Sequence, residues 1–195
     1  MDYPIEMRFK ILALAPQISV IDAKGSPVCY VQQKLFKLKE AVTVYSDATK
    51  QQRLCEIKAD RVIDFSASYH FFDTTGECFG GVRRKGMRSI WSAHYDVVDE
   101  SNQQIASITE ENPMAKVFDS LLGEVPFASL LSGYMFNPRY LLTTVAGQPT
   151  LRLKKQPAIL EGKFLLEKLA PIDPVHELCC IMSFLMMSLL ERMRG

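Results

Sequence analysis

The densest chemistry in this chain of 195 residues is the run Arg83-Arg84-Lys85-Gly86-Met87-Arg88, four cations in six residues just after Gly80-Gly81. Guanidinium forks and ammonium groups take phosphate oxygens through charge-assisted hydrogen bonds, and glycines let backbone amides approach the same anion. Lys154 and Lys155, and Lys34, Lys37 and Lys39, would add to such a site if the fold carries them alongside. The competing reading is a solvated hairpin end, whose exposed cations contribute little.

Other chemistries are less well provided for. His176-Glu177-Leu178-Cys179-Cys180 differs from an HExxH zinc motif at its fifth position, which is Cys180. His176 and Cys180, four apart, share a helix face, but a metal pair needs a third and fourth ligand that the sequence does not supply. Packing cysteines and a histidine at a helix start explain the same residues. His70 and His94 fall on polar strand faces, no G-x-S-x-G is present, and no Walker A or G-x-G-x-x-G loop occurs. Asp96, Asp99 and Glu100 would hold calcium loosely at best, since they lack the spacing of a dedicated loop. The expectation is a protein that is not an enzyme and needs no cofactor and no metal.

Composition narrows the class. Hydrophobic residues at 48% and charged ones at 23% suit a folded domain. A net charge of +1 offers no global pull toward nucleic acid, so any basic patch must be local. The beginning, Met1-Asp2-Tyr3-Pro4-Ile5-Glu6, has no basic-then-apolar leader pattern. Cys29, Cys55, Cys78, Cys179 and Cys180 are odd in number and without CxxC spacing, which suits a reducing, cytoplasmic setting.

These residues need elements to hold them. One pattern recurs: an alternating run, a tip rich in Asp, Gly or Asn, then a second alternating run. The tips are Ala23-Lys24-Gly25-Ser26, Ser46-Asp47-Ala48-Thr49, Asp73-Thr74-Thr75-Gly76, Asp99-Glu100-Ser101-Asn102 and Ala146-Gly147-Gln148-Pro149. Between Ile63 and Phe71, Ile63, Phe65, Ala67, Tyr69 and Phe71 share one face, while Asp64, Ser66, Ser68 and His70 share the other. Trp91, Ala93, Tyr95 and Val97 likewise oppose Ser92, His94 and Asp96, and Leu151 and Leu153 oppose Thr150, Arg152 and Lys154. A period of two with one polar face means antiparallel sheet wetted on one side. Strands near Glu6–Leu14 and Lys163–Leu169 bring the total to about a dozen. Asn112 to Tyr134 reads as helical, with Asn112 and Pro113 at its start and Gly123 as a stop.

The final segment breaks the pattern. Asp173 caps and Pro174 opens a helix reaching residue 194, whose run from Leu178 to Leu190 carries no charge over 13 residues and has no polar face. That is short of the ~18–20 residues needed to cross a bilayer, so no transmembrane span is expected. An apolar helix needs walls on every side, and a dozen strands need cover for their dry face. Both needs are met if the sheet closes into a barrel with the helix along its middle, which also removes the sheet edges.

In the order of its elements the chain resembles the tubby C-terminal-like superfamily, and most closely its LURP-one-related branch; phospholipid scramblases are another branch. The resemblance rests on the hairpins Val20–Val28 and Phe72–Glu77, the segment Trp91–Glu100, Asn137-Pro138-Arg139-Tyr140 before a late hairpin, and the closing helix, and it covers residues 6 to 194. It implies a mainly β fold with minor α content, one domain over residues 1–195, with a twelve-strand barrel (strands within 5–169) around a central helix (174–194). Tubby domains bind phosphoinositide head groups through exterior basic residues, and scramblases associate with membranes. By resemblance the chain is expected to be a cytoplasmic binding module, peripheral at a membrane, for anionic lipid head groups or a protein partner. Arg83, Arg84, Lys85, Arg88, Lys154 and Lys155 are its candidate phosphate contacts. The alternative is a scramblase-like protein whose last helix inserts in the bilayer, and a small enzyme with an unrecognised pocket is a distant third.

Overall fold

A computed structural model describes residues 1–10, 17–32, 41–60, 67–85, 94–111, 138–158 and 161–192. Twelve strands run up and down around a single closed barrel: β1 (Ile5–Lys10), β2 (Gln17–Ile21), β3 (Pro27–Gln32), β4 (Val42–Tyr45), β5 (Arg53–Ala59), β6 (Ser68–Phe72), β7 (Cys78–Arg84), β8 (His94–Val98), β9 (Gln104–Glu110), β10 (Arg139–Thr144), β11 (Pro149–Gln156) and β12 (Glu161–Lys168). Each pairs antiparallel with its sequence neighbours, and β1 closes the ring on β12 through Ile5↔Leu166, Met7↔Phe164 and Phe9↔Gly162. The expected class, mainly β with a dozen strands and one closing helix, is therefore the observed one.

One device shapes five of the hairpins. In β2–β3 the Asp22 carboxylate accepts from Lys24 N and Ser26 N (3.0 and 2.9 Å) while Gly25 N donates to Asp22 O. Asp73 repeats it with Thr75 N and Glu77 N (2.9 Å each), and Asp99 with Ser101 N and Gln103 N (2.9 and 2.8 Å). Asp47 accepts from Thr49 N, and in β10–β11 the Thr144 hydroxyl accepts from Gln148 N. Every one of these hairpins shifts register by one residue just before its turn. Each turn also contains a residue at positive φ: Gly25, Lys50, Gly76, Asn102 and Gly147. A side-chain acceptor three residues before the turn's left-handed position offers the backbone a local partner, and the bulge tightens the strand twist that a closed barrel requires. All five turns sit at one end, called here the lower rim. The opposite, upper rim is where odd-numbered strands end and even-numbered ones begin.

Alternation then sorts the side chains. Ile5, Met7 and Phe9, Ile18 and Val20, Val42 and Val44, Tyr69 and Phe71, Tyr95 and Val97, and Leu151 and Leu153 are buried inside. Ser68 and His70 face outward and are half-buried. Thr150 departs from the expected wet face and is 1% exposed. It lies next to the β10–β11 bulge, Leu169 N and Ala170 N cross over to donate to its carbonyl, and its hydroxyl donates to Leu142 O.

The helix α1 (Pro174–Arg192) fills the barrel. Asp173 caps it, its carboxylate accepting from Val175 N at 3.0 Å, and Pro174 occupies the first turn where no N–H is required. Ile181, Met182, Phe184, Leu185, Met186 and Met187 are fully buried. At about 1.5–3 kcal/mol each, these six stabilise the folded state by on the order of 10 kcal/mol before entropy is counted. Cys55 Sγ meets Met182 Sδ at 3.8 Å, and Ser183 Oγ donates to Cys179 O inside the helix, so a buried hydroxyl needs no partner from the wall. The helix packs tightly on the wall at Gly80, where an added Cβ would lie 2.5 Å from Cys179 Sγ and 2.7 Å from Val98 O. Tyr3 and Lys168 fasten its start, both donating to Glu177 Oε1 (3.1 and 2.8 Å). Among the described residues no helix is long and apolar enough to cross a membrane. The helical segment expected at Asn112–Tyr134 lies outside the described residues.

Candidate functional site: the outer wall of β7 and β8

Strand alternation divides the basic run. Arg83 is on the outer face of β7 and Lys85, one residue past its end, has the same parity, whereas Arg84 has the inner parity shared with Val82, at the upper mouth. Its guanidinium lies 5.8 Å from the ring centroid of the buried Tyr95, its register partner. Arg88 lies outside the described residues, as do Lys34, Lys37 and Lys39.

Arg83 faces Asp96 across the β7–β8 ladder. Its Nε is 3.4 Å from Asp96 Oδ2, while Lys85 Nζ and His94 Nε2 are 3.7 and 3.6 Å from Oδ1. Lys85 N also donates to His94 O, which extends the pairing past the end of β7. The Asp96 side chain is only 4% exposed although it points away from the barrel interior, and Oδ1 has no hydrogen bond of normal geometry. A buried carboxylate in that position requires cationic neighbours, and the three side chains supply them. Two permanent cations and a histidine around one carboxylate leave an excess of positive charge, and Arg83 and Lys85, 37% and 62% exposed, can still be reached by an anion.

Lys154 and Lys155 do not join this cluster. They are on β11, four strands from β7 in the ring, or about 20 Å along the wall. Lys154 lies outward and is held by Glu167 at 2.8 Å. Lys155 has the inner parity of Leu151 and Leu153 but sits at the upper rim, where it is exposed. Between them and β8 the outer wall carries a further pair, Arg152 with Glu111 at 3.0 Å. The sequence reading missed Asp96 as counter-ion to the basic run, and His94 as a member of it. Alternation alone places Arg83, Asp96 and His94 on outward faces, but only the β7–β8 register brings them together.

The other candidates are accounted for locally. Asp99 is engaged by its own turn, and Asp96 faces the cations instead, so the two do not form a shared calcium cradle. His176 and Cys180 do share a surface: with Asp173, Thr144 and Thr150 they line a cavity of about 110 Å³ at the lower rim. His176 Nδ1 is 3.8 Å from Asp173 Oδ2. Burial raises the Cys180 thiol and pushes Cys55 and Cys179 up to about 12, which disfavours thiolate as metal ligand or nucleophile near neutral pH. Among the described residues no three His, Cys, Asp or Glu side chains form a metal-sized group.

An up-and-down barrel of twelve strands, plugged along its axis by an apolar C-terminal helix and bearing a cation-rich outer wall, defines the class of protein. The chain belongs to the LURP-one-related family, whose model matches residues 27–129, just over half of the sequence. The match begins at β3, takes in β4 to β9 and the whole basic run, and stops short of β10, β11, β12 and α1. No curated protein and no solved structure matches the chain.

Proposed function

We propose that this barrel is a non-enzymatic binding module for anionic phospholipid head groups, cytoplasmic and peripheral at the membrane. The observation that carries the reading is the convergence of Arg83, Lys85 and His94 on the single carboxylate of Asp96, which holds the cations in place without neutralising them all. Guanidinium and ammonium groups so fixed lose little further freedom when a phosphate oxygen replaces water. The resemblance to tubby domains supports the same chemistry. The scramblase-like alternative requires α1 to leave the barrel and expose its core, which the fully buried Ile181–Leu185 segment opposes. A protein partner engaging the same wall is the second outcome the test distinguishes.

The test is co-sedimentation with neutral and with phosphoinositide-containing vesicles across a salt series. Head-group binding predicts capture by anionic vesicles only, lost at high salt, and weakened in Arg83→Ala/Lys85→Ala by roughly 1 kcal/mol per cation. Salt-resistant capture by both vesicle types would indicate helix insertion instead. Capture by neither would remove the lipid reading and leave a protein partner.

A further inference from the structure

The lower end of the barrel is where exposed apolar side chains gather. Among the described residues Met1, Val145, Leu169 and Val175 are the large apolar side chains that stand exposed, and all four belong to this end. Val145 is in the β10–β11 turn at 69% exposure, Leu169 just past β12 at 41%, and Val175 in the first turn of α1 at 75%. Every connection at this end, including the crossing from β12 to α1, lies within the described residues.

Three of these side chains flank the cavity of about 110 Å³. Val145 N donates to Ile105 O, Leu169 N to Thr150 O and Val175 N to the Asp173 carboxylate, and Ile105, Thr150 and Asp173 all line the space. Its origin is the placement of the helix. In backbone approach α1 favours β7, β8 and β6, where Gly80 makes room for Cys179. The gap is left on the other side, against β9, β10 and β11. Its buried lining is apolar, from Ala106, Leu142 and the protonated Cys180 thiol, and the Thr150 hydroxyl already donates to Leu142 O. Its mouth is polar, with Thr144 and His176 half-buried and Asp173 exposed.

The charge at this mouth is negative. Asp173 Oδ1 is taken by Val175 N, and the carboxylate meets no lysine or arginine among the described residues, His176 Nδ1 lying 3.8 Å from Oδ2. The adjoining β8–β9 turn adds Asp99 and Glu100. Cations at this end are engaged or distant. Lys168 is held by Glu177 at 2.8 Å and Lys24 by Asp2 at 2.7 Å. Lys50 and Arg53 belong to β5 and the turn before it, six strands from β11 and so across the barrel.

We propose that the lower mouth is a docking site for a protein segment bearing a branched aliphatic side chain next to lysine or arginine. The aliphatic side chain fills the cavity, its neighbours cover Val145, Leu169 and Val175, and the cation meets Asp173. An engineered cavity of about 150 Å³ holds benzene, so one of about 110 Å³ suits a four-carbon side chain. A free small molecule in the cavity would leave the surrounding apolar residues in water, whereas a segment buries both. Carboxylates beside the apolar residues repel an anionic bilayer. The site stands apart from Arg83 and Lys85, near the other end of β7, and does not rest on the lipid-binding reading.

The test is a titration of the full, isotope-labelled chain with acetylated, amidated hexapeptides, followed by amide NMR. One peptide alternates leucine and lysine, a second leucine and glutamate, a third alanine and lysine. The leucine–lysine peptide is expected to shift the amides of Thr144, Ile172 and His176, and to bind about tenfold more tightly than the others. Val145→Ser/Val175→Ser changes only exposed side chains, so it should weaken that peptide by about tenfold with an unchanged thermal transition. Asp173→Asn keeps a capping side chain and should weaken it several-fold at low salt and little at high salt. No shift at those amides, equal binding of the three peptides, or full affinity in Val145→Ser/Val175→Ser would overturn the proposal. Loss of vesicle capture in Val145→Ser/Val175→Ser would overturn it too, by assigning the apolar rim to a membrane.

Discussion

Aspartate does two different jobs in this barrel. At the lower rim Asp22, Asp73 and Asp99 each accept two N–H groups from residues two and four positions on. On the wall, Asp96 takes no partner from its own turn and is held by Arg83, 13 residues away in sequence, with Lys85 and His94 beside it. The first arrangement is complete within five residues and repeats wherever the sequence repeats. The second exists only once the ring has closed and set the β7–β8 register. Stability rests in both kinds of place, while the proposed binding chemistry rests in the second, where charge is left over.

The largest effect is expected from removing what only long-range structure provides. Deleting residues 174–195 takes away the side chains that fill the barrel, so the product should lack a cooperative thermal transition and near-ultraviolet circular dichroism. A truncated chain that unfolds cooperatively would mean the strands stand without their plug. Next comes Gly80→Ala, which puts a Cβ 2.5 Å from Cys179 Sγ and 2.7 Å from a backbone oxygen, at a φ of +142° that side chains rarely adopt. A cost of about 3 kcal/mol is expected in chemical denaturation, and an unchanged midpoint would show that α1 does not press on β7.

Loss of one local device should cost less. Asp99→Ala leaves Ser101 N and Gln103 N to water at an exposed turn, and a loss of about 1–2 kcal/mol is expected, which for a chain of this size is roughly 2–8 °C in Tm. The other four turns should be untouched, which amide hydrogen exchange can read. A loss of protection across several hairpins would mean the turns are not independent.

Asp96→Asn separates the two jobs within one variant. Arg83 and Lys85 are exposed enough for water to solvate them once the carboxylate is gone, so stability should fall by only about 1 kcal/mol. Binding to anionic vesicles should rise several-fold, because the wall gains a net positive charge. Weaker binding would mean that Asp96 matters chiefly by orienting the cations.

The same division explains what could be read from the sequence. The turn tips, the strand faces around Tyr69 and Phe71, the Asp173-Pro174 helix start and the closed barrel about an apolar helix are all visible as patterns of a few residues, or follow from the need to cover an apolar face. Thr150 was misplaced because its burial depends on Leu169 and Ala170 folding back over it. Arg83 and Arg84 looked like one patch because sequence proximity hides alternation, and Lys154 looked like a recruit because nothing local says that three strands intervene. Asp96 was visible as a carboxylate, but its partners are set by register, and register between strands nine residues apart in sequence leaves no mark in composition.

The smallest effect expected is also the most local. The Asp73 carboxyl is held below its ordinary value of 3.8, first by the Thr75 hydroxyl and then by turn N–H groups, and Asp47 is lowered in the same way by Thr49. A folded-state pKa below the unfolded one means that the ionised carboxylate favours the folded turn. That contribution is complete above the unfolded pKa of about 3.9 and is lost as pH falls through the lower folded value, so neither turn should respond to pH between 5 and 8. Thr75→Val removes the hydroxyl donor but keeps the backbone ones. The Asp73 titration, followed by NMR, should therefore move up part of the way toward 3.8 while Asp47 stays put. If Asp73 does not move, the backbone amides alone hold it, and the turn owes nothing to its threonine; if Asp47 moves as well, the rim is electrostatically coupled and its turns are not the separate units their hydrogen bonds describe.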